Sequence, residues 1–426
     1  MERQRSILYY GWIIVGVAFV SNVIAYALRY SFSIFYVAIL EDFGWTREAC
    51  ALAFSINLIV YAMSAPVVGG LVDRFGIRRV VPCGAIFLGL ALAGCSRING
   101  IGQLYVVIAL TAFGSCAVGF VPHLSVIPNW FLRKRGLAIG IVNTGILASS
   151  LLAPVVQGLI DRFGWRGAFL VFAGFTAIIL APIAGIFHRQ RPEEKGLEVD
   201  GLAEGNILKE KAMPGELFYE KRSPAKALTS AARTRSFWGL IGMCLFLGFY
   251  LYTLLVHQVA YLNDAGYSKD FAAQVVALFG VFSIVGSLCA FISDQLGREL
   301  TFSLSSAVAM FGVIVFMIIR DTAVPWVPYT YAVAFGLPFG MTTSIMGATA
   351  ADLFHGRNFG VINGVAMGGF VVGGAVGPWL AGLVFDVTGS YAGIFPLIYF
   401  AMVASMACIW IAAPGKARQR TTKGSL

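Results

Sequence analysis

The residue with the most chemical reach in this sequence is Arg29, because it sits inside an apolar run from Tyr10 to Leu40. Holding an arginine at such a depth in a bilayer costs about 3 kcal/mol on insertion scales, so the side chain must face something polar. Asn22, Tyr26, Arg29, Ser33 and Tyr36 follow one another at steps of 4, 3, 4 and 3 residues, which places them on one face of a helix. Glu41 lies 12 residues further on, about 18 Å along a helix axis, too far to pair with it. The middle of every apolar run is free of Asp and Glu. A cation with no acid beside it reads as an anchor for an anionic substrate. The competing reading is an arginine that snorkels outward or caps the carbonyls of a neighbouring helix.

A second group lies far along the chain. Tyr250, Thr253, His257 and Tyr261 are spaced 3, 4 and 4, again one helical face. His257 is placed to hydrogen-bond a carboxylate or to carry a proton near neutral pH; its alternative is a neutral ring tied to a neighbouring backbone. His123 is a weaker candidate for proton coupling, beside the reading of a helix-packing histidine. With Arg29, the substrate-binding set is Asn22, Tyr26, Tyr30, Tyr250, Thr253 and His257. No nucleophile–base pair, phosphate loop or metal-ligand spacing occurs, and the seven cysteines are scattered through apolar segments. We therefore expect no enzyme activity, no metal and no cofactor.

The elements that position these residues are membrane spans. Hydrophobic residues make up 58% and charged residues 12% of the 426, against about 25% charged in soluble domains. Twelve spans are expected, at 10–38, 47–70, 80–96, 102–130, 137–160, 167–187, 237–262, 271–292, 300–319, 326–350, 360–384 and 392–412. The first carries a polar face and no small-residue cleavage site, so it reads as a retained span and not a signal peptide. Placing both termini in the cytoplasm leaves 24 of the 31 Lys and Arg inside, with Arg47, Arg97, Arg162, Arg166, Lys269 and Arg320 outside. That bias is the positive-inside rule, so the net charge of +10 is topogenic and nucleic acid is not a partner. Trp12, Trp45, Trp130, Trp165, Trp238, Trp326 and Trp410 fall at span ends, where an aromatic belt is expected.

Residues 188–236 form the long polar stretch and read as a cytoplasmic linker between a bundle at 1–187 and another at 237–412, with a tail at 413–426. The two halves match each other. Residues 37–48 align with 259–270 at an offset of 222, and Gly136, Gly140, Gly145, Pro154 and Gly158 align with Gly360, Gly364, Gly369, Pro378 and Gly382 at 224. The fold class is therefore an all-α membrane protein, with twelve transmembrane helices as two pseudo-symmetric six-helix bundles that pack closely where glycines allow.

Gly70-Leu71-Val72-Asp73-Arg74-Phe75-Gly76-Ile77-Arg78-Arg79 follows the second span, and Ser293-Asp294-Gln295-Leu296-Gly297-Arg298 is a shorter relative after the eighth. The first resembles the conserved loop of the major facilitator superfamily. That resemblance implies a gating role for Gly70, Asp73, Arg74, Gly76, Arg78 and Arg79, extended to Asp294, Gly297 and Arg298. Tyr10-Gly11-Trp12, residues 130–136, His257 with 261–268, and residues 359–391 are similar to the monocarboxylate-transporter and oxalate–formate branch. The sequence departs from that branch in having no arginine or aspartate on span 8 and no lysine on span 11.

These residues and the resemblance together imply a secondary transporter of a small organic anion, a monocarboxylate by expectation, working by alternating access with Arg29 as anchor. The driving energy stays open between proton symport, with protons carried by His257, His123 or the acid itself, anion exchange and uniport; a monomer in the lipid bilayer of the cell membrane is the expected state. The rivals are a proton-coupled exporter of drugs or other amphiphiles, and a nutrient sensor that binds without transporting.

Overall fold

The computed structural model describes residues 9–200, 224–354 and 359–415, apart from 320 and 325. Residues 201–223 of the expected linker, 416–426 of the tail and Arg320 lie outside the described residues. Among the described residues the chain is helical, with one isolated bridge between Phe131 and Asp200. Eleven helical runs among the described residues are long and apolar enough to cross a membrane. Ten of them correspond to one expected span each. The eleventh, Arg135–Phe187, holds the expected spans 137–160 and 167–187, divided at Gly164 with φ 69°, a backbone conformation that favours glycine.

Two spans are themselves interrupted. The first consists of α1 (Tyr10–Tyr30) and α2 (Phe32–Phe43), separated at Ser31 just beyond Arg29. After α3 (Arg47–Phe75) and α4 (Ile77–Cys95), the fourth span breaks at Gly119 between α5 (Ile101–Val118) and α6 (Phe120–Trp130). A side chain cannot be added at Gly119, where a Cβ would lie 2.7 Å from the Ser115 carbonyl oxygen and 3.1 Å from the Tyr26 ring.

The contacts divide the chain into two compact units. One is Met1–Arg29, Met63–Ser149 and Phe163–Phe218; the other is Tyr30–Ala62, Ser150–Arg162 and Tyr219–Leu426. The units do not follow the two halves of the chain, since the second includes segments of the first half. In the first unit α4 packs on α5 and on the helical segment that follows Phe175. Gly84 meets Ala117, Gly114 meets Leu88, and Gly89 meets Ala173 and Ala177; in a membrane such small-residue contacts substitute for a hydrophobic driving force.

The second unit is built on one long helix (Arg235–Asp264) whose 30 residues span about 45 Å. It packs against Phe359–Thr388, Phe395–Ala412 and α2. Gly248, Gly373 and Gly377 interleave with Phe370, Leu245 and Phe249 across the first of these contacts. Lys269–Cys289 and Trp326–Leu353 lock in the same way, with Gly286 on Leu337 and Gly340 on Ser283.

The internal repeat survives in this packing. Gly145 closes on the Phe19 carbonyl, and its repeat partner Gly369 closes on the carbonyl of Ile241, the repeat partner of Phe19. Close packing is confined to some of the matched glycines: Gly136, Gly140, Gly158, Gly360 and Gly364 face open space. The aromatic belt also needs correction. Trp238, Trp326 and Trp410 are exposed at span ends, whereas Trp130 and Trp165 are buried inside the protein. Trp130 donates its indole N–H to the Arg189 carbonyl at 3.1 Å, so its polar edge is satisfied internally.

Candidate functional site

Arg29 lies in the last turn of α1. Its guanidinium carbon is 5.2 Å from the Tyr26 ring centroid, a cation–π distance, and its field reaches Cys116 on α5. A helix C-terminus stabilises a nearby cation by about 0.3–1 kcal/mol, which offsets part of the cost of holding an arginine here. Tyr26 is buried against Gly119, at the break in the fourth span. Of the expected anion site, Arg29 and Tyr26 are thus brought together, and Arg29 keeps part of its surface accessible.

Asn22 shares the stripe but does other work. Its amide donates to the Val142 carbonyl at 2.8 Å and the residue is fully buried. Such a bond glues one membrane helix to another. In the second unit, Tyr30 packs edge-on against Phe339 with ring centroids 6.3 Å apart. Tyr250 is wholly buried beside Ser306 and Thr342. The Thr253 hydroxyl donates to the Phe249 carbonyl of its own helix. A cavity of about 20 Å³ opens beside Thr253, His257, Gln258, Tyr261 and Tyr391, room for about one water.

His257 has the tied arrangement. Its Nε2 lies 2.9 Å from the Pro378 carbonyl, so that nitrogen carries the hydrogen. Its Nδ1 lies 2.9 Å from the Tyr391 hydroxyl. That hydroxyl accepts from Arg47 Nη1 at 2.7 Å, leaving its own hydrogen for His257. The bonds therefore write His257 as a neutral ring at the end of an arginine–tyrosine–histidine relay.

Arg47, counted in the sequence only as an outside charge, is the centre of this relay. Its Nη1 and Nη2 donate to both oxygens of Asp264 at 2.7 Å each, the bidentate geometry peculiar to arginine. Its guanidinium carbon stands 3.6 Å from the Phe385 ring centroid. The Asp386 carboxylate accepts from the Arg47 and Glu48 backbone N–H groups at 3.0 and 2.7 Å, capping the start of α3. Glu48 in turn accepts from the Trp379 indole at 2.8 Å. Lys269, the repeat partner of Arg47, pairs with Glu41 at 2.5 Å. The two ion pairs are thus crossed: each copy of the repeated loop supplies the cation and binds an acid of the other copy. The alignment of 37–48 with 259–270 was the signal for this in sequence.

The two loops expected to gate share a backbone and differ in charge. Gly76 and Gly297 have φ of 79° and 93° and each opens the next helix. In the first copy Asp73, Arg74 and Arg79 are exposed, while Arg78 Nε donates to the Gly185 carbonyl at 3.2 Å. In the second, Arg298 pairs with Asp294 at 2.7 Å and with Asp352 at 3.0 Å. Asp352 was not among the sequence candidates. Gly70 meets nothing that a Cβ would touch. His123 lies buried on α6, against His188. Among the described residues no cluster of metal-ligating side chains occurs.

A family model described as Major Facilitator Superfamily matches residues 18–378. Among curated proteins the chain is 29% identical over 423 residues to Monocarboxylate transporter 2 of Homo sapiens, covering 94% of this chain and 84% of the relative. It is 28% identical to Monocarboxylate transporter 11 of the same organism, covering 95% and 83%. Among solved structures, it resembles a bacterial homolog to the human lysosomal transporter Spinster in an inward-facing and unoccupied conformation. The TM-score is 0.67, the identity 15% and the coverage 99% of each chain.

Proposed function

The chain belongs to the major facilitator superfamily and is a membrane transporter, and on that premise we propose that it carries a small organic anion, a monocarboxylate, with Arg29 as its anchor. The observation that carries this reading is the cation over Tyr26, part-exposed between the end of α1 and the break at Gly119. A guanidinium in such a place offers planar paired donors to a carboxylate. The names of the relatives, Monocarboxylate transporter 2 and 11, support the same cargo class.

Alternating access between the bundles 1–187 and 237–412 is the mode of transport we infer. The crossed pairs Arg47–Asp264 and Lys269–Glu41 latch one end of the pathway, and the loops at Asp73 and Asp294 control the other. A part-buried charged pair such as Arg47–Asp264 contributes about 1.5–3 kcal/mol and the exposed Lys269–Glu41 pair less, enough to bias two conformers without freezing them. The charge bias of the loops puts both termini in the cytoplasm of a cell membrane. Protons are the coupling ion, and the chain acts as a monomer.

Purified protein in lipid vesicles tests the reading by direct binding and counterflow of a C2–C4 monocarboxylate. Binding that saturates and disappears in Arg29→Gln supports it. Wild-type affinity in well-folded Arg29→Gln overturns the anchor and favours the amphiphile exporter, whereas binding without flux favours the sensor.

A further inference from the structure

Two imidazoles meet end to end in the first unit. His123 Nε2, on α6, lies 2.9 Å from His188 Nε2, just beyond the helix Ala181–Phe187, and both side chains are fully buried. The ring centroids are 5.0 Å apart. Each ring is also held at its other nitrogen. His123 Nδ1 lies 2.6 Å from the Gly119 carbonyl, and His188 Nδ1 lies 3.0 Å from the Ala184 carbonyl. A carbonyl oxygen only accepts, so both Nδ1 atoms carry hydrogen. A neutral imidazole has one ring hydrogen, and that count leaves two bare Nε2 lone pairs aimed at each other across a hydrogen-bond distance. One added proton turns the repulsion into a bond.

We propose that His123 and His188 form a proton-binding site that takes up one proton between the two Nε2 atoms, so that the pair holds three ring hydrogens and a single positive charge. No other bond forms or breaks. The proton arrives from water and returns to it.

The surroundings hold the rings in place and keep the proton exchangeable. Trp130 and Asn129 donate to the carbonyls of Arg189 and Gln190, at 3.1 and 3.3 Å, and Tyr10 donates to Phe187 at 2.8 Å. These bonds staple the segment around His188 to α6 and α1. The charges nearby are mostly positive. Arg189 is next in the chain, α4 brings Arg78 and Arg79, α7 (Arg135–Ala148) begins with Arg135, and α5 has no charged residue. Glu193, Glu194 and Lys195 lie on the turn that follows, where Glu194 accepts from the Gln190 and Arg191 backbones and Lys195 stands over Tyr10. Burial pushes the His188 ring down to about 4, with Arg189 adding to the effect and the Ala184 carbonyl opposing it. The facing lone pair of His123 offsets that penalty only in the shared arrangement. A proton held on such terms can be gained and lost during a transport cycle. The proton count stands without any assumption about cargo. Its use as the coupling proton rests on the transport reading above.

The test is ¹⁵N NMR of the full-length protein, labelled on its histidines, in detergent or nanodiscs between about pH 5 and 8, the range in which histidine titrates. The expected result is that His123 and His188 respond in one common step, with both Nε2 shifts on the acid side lying between those of a bare and a protonated nitrogen. In His188→Asn the His123 signal loses that step, and His123→Asn offers the reciprocal comparison should the first variant fold poorly. The wild-type spectrum decides the matter by itself if neither variant folds. Separate steps more than about one pH unit apart, two bare Nε2 atoms throughout the range, or a stoichiometric metal ion found by elemental analysis would each overturn the site. Loss of monocarboxylate binding with the common step intact would count against the cargo and leave the proton site standing.

Discussion

Arg29 and Arg47 are chemically identical and are used in opposite ways. Arg47 has its donors committed to Asp264 and the Tyr391 hydroxyl, with Phe385 beneath the guanidinium plane. Arg29 stands over one tyrosine at a helix end and keeps part of its surface accessible. A committed arginine sets a conformation, because breaking it leaves Asp264 unpaired on one side and Tyr391 on the other. Arg29 leans on the Tyr26 ring near a helix end, and in the anchor reading proposed above its planar fork is the group that meets a carboxylate. The environment, more than the residue type, assigns the role.

The largest expected effect comes from removing the proposed anion anchor. Arg29→Gln should weaken monocarboxylate binding by about 3 kcal/mol, upward of a hundredfold, since a desolvated anion is left without its partner. Arg29→Lys should keep part of the affinity, because a point charge replaces the planar fork. Isothermal calorimetry on protein with a normal thermal transition reads both. Equal affinity in all three forms would erase the contrast between the two arginines.

Removing the committed member should leave binding nearly intact and shift the conformational balance. Arg47→Gln or Asp264→Asn should release about 2 kcal/mol of bias, some thirtyfold in the ratio of conformers. Cys50, buried in the first turn of α3 beside this network, is a built-in reporter. Its alkylation, read peptide by peptide in a mass spectrometer, should quicken in these variants and not in Arg29→Gln. Lys269→Gln should do less, since the Lys269–Glu41 pair is more exposed. Unchanged alkylation in Asp264→Asn would remove the latch.

The same contrast separates the two gating loops, at a smaller scale. Asp294 and Asp352 grip Arg298, whereas Asp73 is exposed in the conformer described here. Asp352→Asn should therefore lower the melting temperature by a few degrees, about 1 kcal/mol. Asp73→Asn should leave stability within about 0.5 kcal/mol and slow exchange several-fold at constant binding affinity. Equal losses of binding and exchange in Asp73→Asn would argue against a gating role.

How much of this could be read from the chain follows from the range of each interaction. Span lengths and the repeat are local or periodic, so the twelve spans and the matched Gly145 and Gly369 could be found by counting. The stripe through Asn22, Tyr26 and Arg29 reads as one polar face, and in the structure Asn22 and Tyr26 are buried while Arg29 is partly exposed. It did not distinguish a residue against a neighbouring helix from one beside open space, and Asn22 turned out to bond Val142. Arg47 draws on Asp264, Phe385, Asp386 and Tyr391, partners more than 200 residues away that periodicity cannot supply. His188 escaped notice for a related reason: alone at the edge of a polar linker it carries no pattern, and it acquires chemistry only when His123 is set against it.

That histidine pair carries the contrast between shared and solitary charge into a measurement of stability against pH. In His123→Asn the shared site is gone and the His188 ring stays buried, the cause that holds it down to about 4 in the intact protein, against about 6.5 for an unperturbed histidine. The unfolded chain then takes up its proton first as the pH drops. Its contribution to stability is fully present above about pH 6.5 and is lost as the pH falls toward 4. In the wild type the folded pair takes up one shared proton where the unfolded chain takes up two, a deficit of one that equals the variant's. The two stability curves should therefore fall in parallel, within about 0.5 kcal/mol of each other between pH 6.5 and 4.5. Chemical or thermal denaturation of both proteins at matched ionic strength measures it. If the two imidazoles were instead independent and both neutral, the wild type would carry two depressed groups and decline more steeply than the variant, by about 2 kcal/mol over the same window, so a steeper wild type would exclude the shared proton.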